Sequence, residues 1–140
     1  MAASHNKAEP LKIILDSNAL FIPLEFKMDI FEELGRLLSR NIECILLSPV
    51  KHELEVLAAG DKPKLRRQAS FALRLAEKCK FVPVQDKGET TDDIILRIAK
   101  SWCVPVFTND IALKRRLRDI SVPVIYLRQK SRLDIDGLIS

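Results

Sequence analysis

Four acidic residues stand where the chain passes from one predicted element to the next. Asp16 ends an apolar run, and Glu53, Asp92 and Asp110 lie near the starts of predicted helices. Four carboxylates packed together would repel one another and raise their pKa values unless a cation joined them. Mg²⁺ or Mn²⁺ suits such a cluster, since these hard ions prefer oxygen ligands. The set therefore predicts a divalent-metal site.

Helical geometry separates these residues from their acidic neighbours. At about 100° per residue, Glu53 falls inside the apolar stripe of its helix, and Asp92 lies about 60° from the centre of its apolar face. Asp93 lies about 160° from that centre, so a surface ion pair with Arg97 explains it. Helix capping would equally explain Asp92 or Asp110 taken singly. Capping does not explain Glu53, which we expect to face the core.

The elements that must position these carboxylates alternate along the chain. Strands are predicted at 13–15, 43–47, 80–84, 104–108 and 122–127, and helices at 30–38, 49–59, 64–78, 92–102 and 110–120. This alternation indicates an α/β fold, a three-layer sandwich in which helices cover both faces of a largely parallel five-stranded sheet. Ligands bind such sheets at the C-terminal edge of the strands, where the four carboxylates should meet.

Other segments give weaker signals. Ser48 and either Thr90 or Thr91 are expected to cap the helices that follow them. The segment from 21 to 29 is interpreted as a connector, and residues 131–140 are ambiguous.

The composition indicates a globular protein with a small excess of positive charge. Of the 140 residues, 47% are hydrophobic and 30% are charged, and the net charge is +4. We expect a single domain at 11–140 behind a flexible tail at 1–10. No segment resembles a secretory signal or a membrane span, so we expect no membrane partner and a cytoplasmic location. Three dispersed cysteines are expected to be plain buried thiols.

Short polar residues accompany two of the carboxylates. Ser17 and Asn18 follow Asp16, and Thr108 precedes Asp110 by two positions. These side chains could orient a carboxylate or a metal-bound water. They could equally be ordinary turn and cap residues.

Basic residues are bunched rather than spread. Clusters around a predicted acidic site suggest a polyanionic partner such as nucleic acid, although solvated helix faces are an alternative for any one cluster. The residues expected to contact phosphates are Lys51, Lys114, Arg115 and Arg116. Arg116 could instead pair with Asp119, and Lys51 could simply be exposed.

Several enzyme classes lack their required residues. The four glycines are not clustered, so neither a GxxxxGK[ST] phosphate loop nor a GxGxxG turn is present. The histidines, His5 and His52, have neither the spacing of a zinc site nor a partner for serine hydrolase chemistry. Metal ions held by carboxylates would activate water and neutralise charge on a phosphodiester. Hydrolysis of nucleic acid is therefore the leading hypothesis.

The sequence from Lys12 to Leu127 resembles PIN-domain ribonucleases. The matching segments are ILDSNAL with Asp16, SPVKHELEVL with Glu53, TTDDIILRIA with Asp92 and VFTNDIALKRRL with Asp110. The resemblance implies a parallel sheet of about five strands between helices. It also implies a Mg²⁺- or Mn²⁺-dependent endoribonuclease site at these four positions.

One family feature is missing. Many members carry a further acidic residue two places after the position of Asp110, where this chain has Ala112. The resemblance then favours a single tightly held ion. Asp93 could partly replace the missing carboxylate, but its predicted direction, away from the apolar face, argues against this.

Two branches of the family and one inactive form stay open. The ending LKRRLRDISVPVIYLR resembles the archaeal and eukaryotic branch linked to processing of small-subunit ribosomal RNA. The other branch is the VapC-type toxin, which cleaves transfer or ribosomal RNA and is inhibited by an antitoxin. The third reading is a catalytically silent PIN-like module that binds RNA or protein. Because both branches commonly self-associate, a homodimer is expected, with an antitoxin or a ribosome-assembly factor as a further partner.

Overall fold

The strands and helices alternate along the chain as the sequence predicts. The computed structural model describes residues 9–139. Its strands are β1 (Leu11–Leu15), β2 (Ile42–Leu47), β3 (Lys80–Val82), β4 (Val106–Phe107), β5 (Val124–Arg128) and β6 (Arg132–Asp136). Its helices are α1 (Ile22–Phe26), α2 (Ile30–Leu38), α3 (Ser48–Ala58), α4 (Pro63–Ala76), α5 (Thr91–Trp102) and α6 (Ile111–Asp119), with a 3-10 helix at Ser17–Phe21.

The strands form one sheet in the order β3-β2-β1-β4-β5-β6. All neighbours are parallel except β5 and β6, which form an antiparallel pair. The predicted α/β fold class is confirmed. β3 lies at one edge of the sheet, as the proline at position 83 suggested.

β1 is central because its apolar residues can be buried on both faces of the sheet. Ile13, Ile14 and Leu15 are fully buried, and Ile14 pairs with β2 on one side and with β4 on the other. The ladder continues past the strands, since Asp16 N donates to the carbonyl of Phe107 at 3.0 Å. The backbone beneath the predicted site is therefore fixed by the middle of the sheet.

The connector predicted after β1 is helical instead. The 3-10 helix ends at the connector's first residue and α1 occupies the next five, with a proline near the N-terminus of α1, where its missing N–H costs nothing. The 3-10 helix contacts both α3 and α4.

The ambiguous tail supplies the sixth strand of the described sheet, one more than the five predicted. Gln129 and Lys130 have positive φ angles of 56° and 62°, which let the chain reverse between β5 and β6. Leu133 is buried against the core and Ile135 packs on it. Charged residues at 132, 134 and 136 alternate with these two and hid the short apolar pattern.

Three smaller predictions have mixed outcomes. Thr90 is the N-cap of α5, as expected. Ser48 is not a cap, because its hydroxyl accepts from the backbone N–H of Val84 at 3.0 Å and so joins α3 to the end of β3. Of the three cysteines, Cys44 is buried and Cys79 half-buried, but Cys103 is exposed.

The remaining sequence expectations concern the terminus and membranes. The predicted tail at 1–10 lies mostly outside the described residues. No helix within residues 9–139 is long and apolar enough to cross a bilayer.

Candidate active site

The first strand delivers a carboxylate into the interior of the protein. Asp16 follows β1, and only 4% of its surface is exposed. Its Oδ1 accepts a hydrogen bond from Ser17 N at 2.8 Å, while its Oδ2 accepts from Asn18 Nδ2 at 3.0 Å and from Thr108 Oγ1 at 2.8 Å. Because both oxygens have donors, the carboxylate is held in one orientation at the C-terminal edge of the sheet.

The pKa of Asp16 is raised above its usual value. Burial is the largest cause, since it disfavours the charged form. Hydrogen bonds from Thr108 and Ser17 lower the pKa, whereas the negative charges of Asp92 and Glu53 raise it further. These two carboxylates are thus close enough for their charges to act on Asp16. Such an environment is typical of functional sites.

Thr108 and Asn18 connect Asp16 to the beginning of α6. The fully buried hydroxyl of Thr108 donates to Asp16 and accepts from Asp110 N at 3.0 Å. The Asn18 amide donates to Asp16, and its Oδ1 lies 3.4 Å from Thr108 Oγ1. One hydroxyl and one amide therefore set the position of α6 relative to the buried carboxylate.

Asn109 belongs to this network and was not predicted from the sequence. Its backbone N donates to Asn18 Oδ1 at 2.9 Å, and its own Oδ1 accepts from Leu127 N at 2.8 Å. It therefore ties the loop before α6 to β5. The only signal in the sequence is its place between Thr108 and Asp110, in a polar loop that follows a buried strand.

Asp92 lies in the first turn of α5 without capping it. Thr90 supplies the cap, because its Oγ1 accepts from Asp93 N at 3.1 Å. Burial raises the pKa of Asp92, and the charge of Asp110 raises it further, while the Arg116 charge lowers it. The carboxylates of α5 and α6 therefore face a common region.

Asp110 is the N-cap of α6. Its Oδ1 accepts from Ala112 N at 2.8 Å and from Leu113 N at 3.1 Å, so the capping explanation holds for this residue. Capping uses only one carboxylate oxygen in these contacts. Ala112 is exposed and brings no second carboxylate to the beginning of this helix.

Glu53 reaches the same edge of the sheet, but the prediction that it faces the core is wrong. Val50 and Leu54 are buried, and Glu53 is exposed. Around the helix axis, Glu53 points about 80° away from the mean direction of Val50 and Leu54, which places it at the margin of the apolar stripe. Its Oε1 lies 3.5 Å from Ser17 Oγ, beside Asp16. The site therefore has one buried carboxylate, two at intermediate depth and one at the rim.

Asp93 has a different partner from the one expected. Arg116 Nη2 donates to Asp93 Oδ1 at 2.7 Å, joining α5 to α6 and lowering the pKa of Asp93. Arg97 bonds instead to Glu89, with distances of 2.9 and 3.1 Å. The proposed pairs of Asp93 with Arg97 and of Arg116 with Asp119 are therefore wrong. Asp93 is therefore engaged in an ion pair that links α5 to α6.

The other residues predicted to contact phosphates differ in whether their charged groups already have partners in the protein. Lys51 Nζ lies 4.9 Å from the ring centroid of Phe81. Lys114 Nζ lies 3.6 Å from the ring centroid of Tyr126 and 3.7 Å from a carboxylate oxygen of β6. Arg115 is exposed on the same turn of α6. These lysines pack on aromatic faces, and Arg115 is the more open to solvent.

The donor chemistry of this edge fits a hard divalent cation. Asp16, Asp92, Asp110 and Glu53 offer carboxylate oxygens, the ligands that Mg²⁺ and Mn²⁺ prefer. In the part of the chain that the structure describes, no three acidic, histidine or cysteine side chains are already close enough to hold an ion. The residue types fit, while their spacing is wider than a coordinated ion requires.

Comparison with known proteins gives three consistent matches. The family described as "PIN like domain" matches residues 13–130. "Ribonuclease VapC4" of Methanocaldococcus jannaschii is 33% identical over 91% of this chain and 98% of its own length. The "rRNA-processing protein fcf1" of Schizosaccharomyces pombe is 36% identical over 83% of this chain, which spans 58% of that longer protein.

A solved structure agrees with the sequence matches. "Structure of the PIN domain endonuclease Utp24" superposes with a TM-score of 0.79 at 29% identity, over 96% of this chain and 97% of that one. The fold, the order of the motifs and the family match cover the same part of the molecule. The chain belongs to the PIN-like domain family.

Proposed function

We propose that the protein is a divalent-metal-dependent endoribonuclease that hydrolyses RNA phosphodiesters at Asp16, Glu53, Asp92 and Asp110. The observation that carries this proposal is the carboxylate of Asp16, which is fixed by three hydrogen bonds and is destabilised in its charged form first by burial and then by repulsion from two acidic neighbours. A cation would relieve that repulsion. Relatives named as ribonucleases and endonucleases support the reaction class.

The chain's own residues have distinct tasks in this proposal. Mg²⁺ or Mn²⁺, when bound, would supply an activated water and neutralise charge on the phosphodiester. Asp16 would hold the ion from a fixed position. Thr108 would fix the position of that carboxylate relative to the N-terminus of α6. Asp92, Asp110 and Glu53 would complete the acidic set from the more exposed side. Ser17 would orient the carboxylates of Asp16 and Glu53, and Asn18 would orient that of Asp16.

We propose processing of ribosomal RNA as the biological role, which the similarity to the rRNA-processing protein fcf1 supports. A VapC-type toxin is the second candidate, favoured by the match over 98% of the length of VapC4. We also propose that the protein forms a homodimer and that it binds an antitoxin or a ribosome-assembly factor. We propose a cytoplasmic location as part of the same role.

The test is metal-dependent cleavage of RNA by purified protein. Labelled precursor ribosomal RNA and mature transfer RNA are incubated with Mg²⁺, with Mn²⁺ or with EDTA, beside the Asp92→Asn variant. We expect cleavage with metal only, reduced at least about a hundredfold in the variant. Cleavage confined to the precursor supports processing, and cleavage of mature RNA supports the toxin. RNA binding without cleavage under any metal condition would contradict the enzyme and favour the silent module.

Arg115 and Arg116 should differ in their contribution to RNA affinity. Arg115 is exposed, whereas Arg116 is engaged by Asp93. We expect Arg115→Ala to weaken RNA binding and to reduce the slope of log K against log salt by about 0.7, the value for one lost contact to a single strand. Arg116→Ala should have the smaller effect on this slope. The measurement is fluorescence anisotropy over a salt series, and an unchanged slope for Arg115→Ala would count against phosphate contact there.

A further inference from the structure

A cavity of about 450 Å³ opens beside the carboxylates. It lies between the 3-10 helix, α1 and α4, and its wall includes Asn18 and Asn109 from the network around Asp16. Its volume is within the roughly 300–1,000 Å³ that small-molecule pockets occupy. The phosphodiester chemistry proposed above does not use this space.

The lining combines aromatic and polar groups. Phe21 and Phe26 are half-buried and pack against the core, so their rings are held in place. Gln68, on the first turns of α4, contributes an amide with both a donor and an acceptor. Asn109 uses its Oδ1 to accept from β5, which leaves its Nδ2 group as a donor. Rings with amides nearby are the groups that stack on and hydrogen-bond an unpaired base.

The lining carries one charge of each sign. Lys64 offers an ammonium group for a phosphate, and Glu25 offers a carboxylate that would repel one. A carboxylate instead accepts hydrogen bonds from the amino groups of bases. The lining therefore offers one group that suits a phosphate and another that suits the edge of a base that carries an amino group.

We propose that this cavity binds one unpaired nucleobase of the RNA strand whose phosphodiester lies at the carboxylates. The inference rests on the proposed function. Asn18 links the two places, because its amide lines the cavity and donates to Asp16 at 3.0 Å. A base held here would place the neighbouring backbone beside the acidic edge. A paired base could not enter, since its edge and both of its faces are occupied in a duplex.

The first experiment uses nucleotides without any cleavage step. Isotope-labelled protein in EDTA is titrated with GMP, and separately with ribose 5-phosphate, which has the phosphate but lacks the base. We expect GMP to shift the side-chain amide signals of Gln68 and Asn109, while ribose 5-phosphate leaves them in place. Equal shifts with both compounds would reduce the cavity to a phosphate site and overturn the proposal. GMP shifts confined to other surfaces would overturn it as well.

The second experiment uses strands of RNA and a matched pair of variants. A labelled 12-nucleotide RNA is compared, in EDTA, with the same strand in a duplex. Gln68→Ala should weaken single-strand binding by about three- to tenfold, as expected for the loss of one hydrogen bond. Gln85→Ala removes the same kind of side chain from an exposed loop outside the cavity and should leave binding unchanged. Equal affinity for duplex and single strand, or equal effects of the two variants, would contradict a base pocket.

The two proposals fail in distinguishable ways. Base binding is measured without metal or hydrolysis, so an absence of cleavage leaves the pocket in place and removes only the nuclease assignment. Metal-dependent cleavage with no effect of GMP at Gln68 removes only the pocket.

Discussion

Replacement of Asp16 by Asn is expected to lower metal-dependent RNA cleavage at least about a hundredfold while changing the stability of the fold little. The Asn side chain has almost the same shape and can still accept the hydrogen bonds from Thr108 and Asn18. It loses the bond from Ser17 N, which is worth about 1 kcal/mol. This loss is offset because a neutral amide avoids the cost of burying a charge and also removes the repulsion from Asp92 and Glu53.

The comparison that isolates this effect is Asp61→Asn. Asp61 is exposed between α3 and α4 and is not one of the four carboxylates of the site, so the variant removes the same charge from the surface. It should retain full cleavage and a wild-type melting temperature. Equal activity of Asp16→Asn and Asp61→Asn would mean that the buried carboxylate takes no part in the reaction. Loss of folding in Asp16→Asn alone would give Asp16 a structural role.

Short-range patterns predicted the part of the site that depends on one element at a time. The run Ile13–Leu15 had to be a buried strand, and the abrupt change to Asp16 then had to occur at the edge of a parallel sheet. The first turns of α5 and α6 follow from the polar residues that begin each helix. These inferences need only the periodicity of a strand or a helix, and no knowledge of how the elements pack.

Features that depend on packing between distant elements could not be predicted in this way. Arg116 and Asp93 are 23 positions apart, and their bond exists because α5 and α6 lie side by side. Glu53 lies at the margin of its helical stripe, where a small rotation of α3 decides between core and solvent. The cavity beside Asn18 is bounded by helices from a segment that was interpreted as a connector. None of these three features leaves a local signature in the sequence.

Divalent metal should stabilise the protein, and the gain should increase with pH. Burial raises the pKa values of Asp16 and Asp92, so the metal-free folded state binds more protons than the unfolded state. Its stability therefore falls as pH rises from the usual carboxyl pKa through the raised values. Asp93 acts in the opposite sense, since its lowered pKa gives stability that is lost only as pH falls. A bound cation replaces the protons on Asp16 and Asp92 and cancels the loss.

The measurement is calorimetric melting between pH 4 and pH 7, with Mn²⁺ and with EDTA. At a metal concentration of about a hundred times the dissociation constant, the expected stabilisation is about 2.7 kcal/mol, or about 10 °C for a domain of this size. The shift should shrink toward pH 4, where protons compete for the same oxygens. It should nearly vanish in Asp16→Asn and persist in Asp61→Asn. A shift that is independent of pH, or that survives in Asp16→Asn, would place the ion elsewhere on the protein, because an ion held by Asp16 and Asp92 must displace their protons.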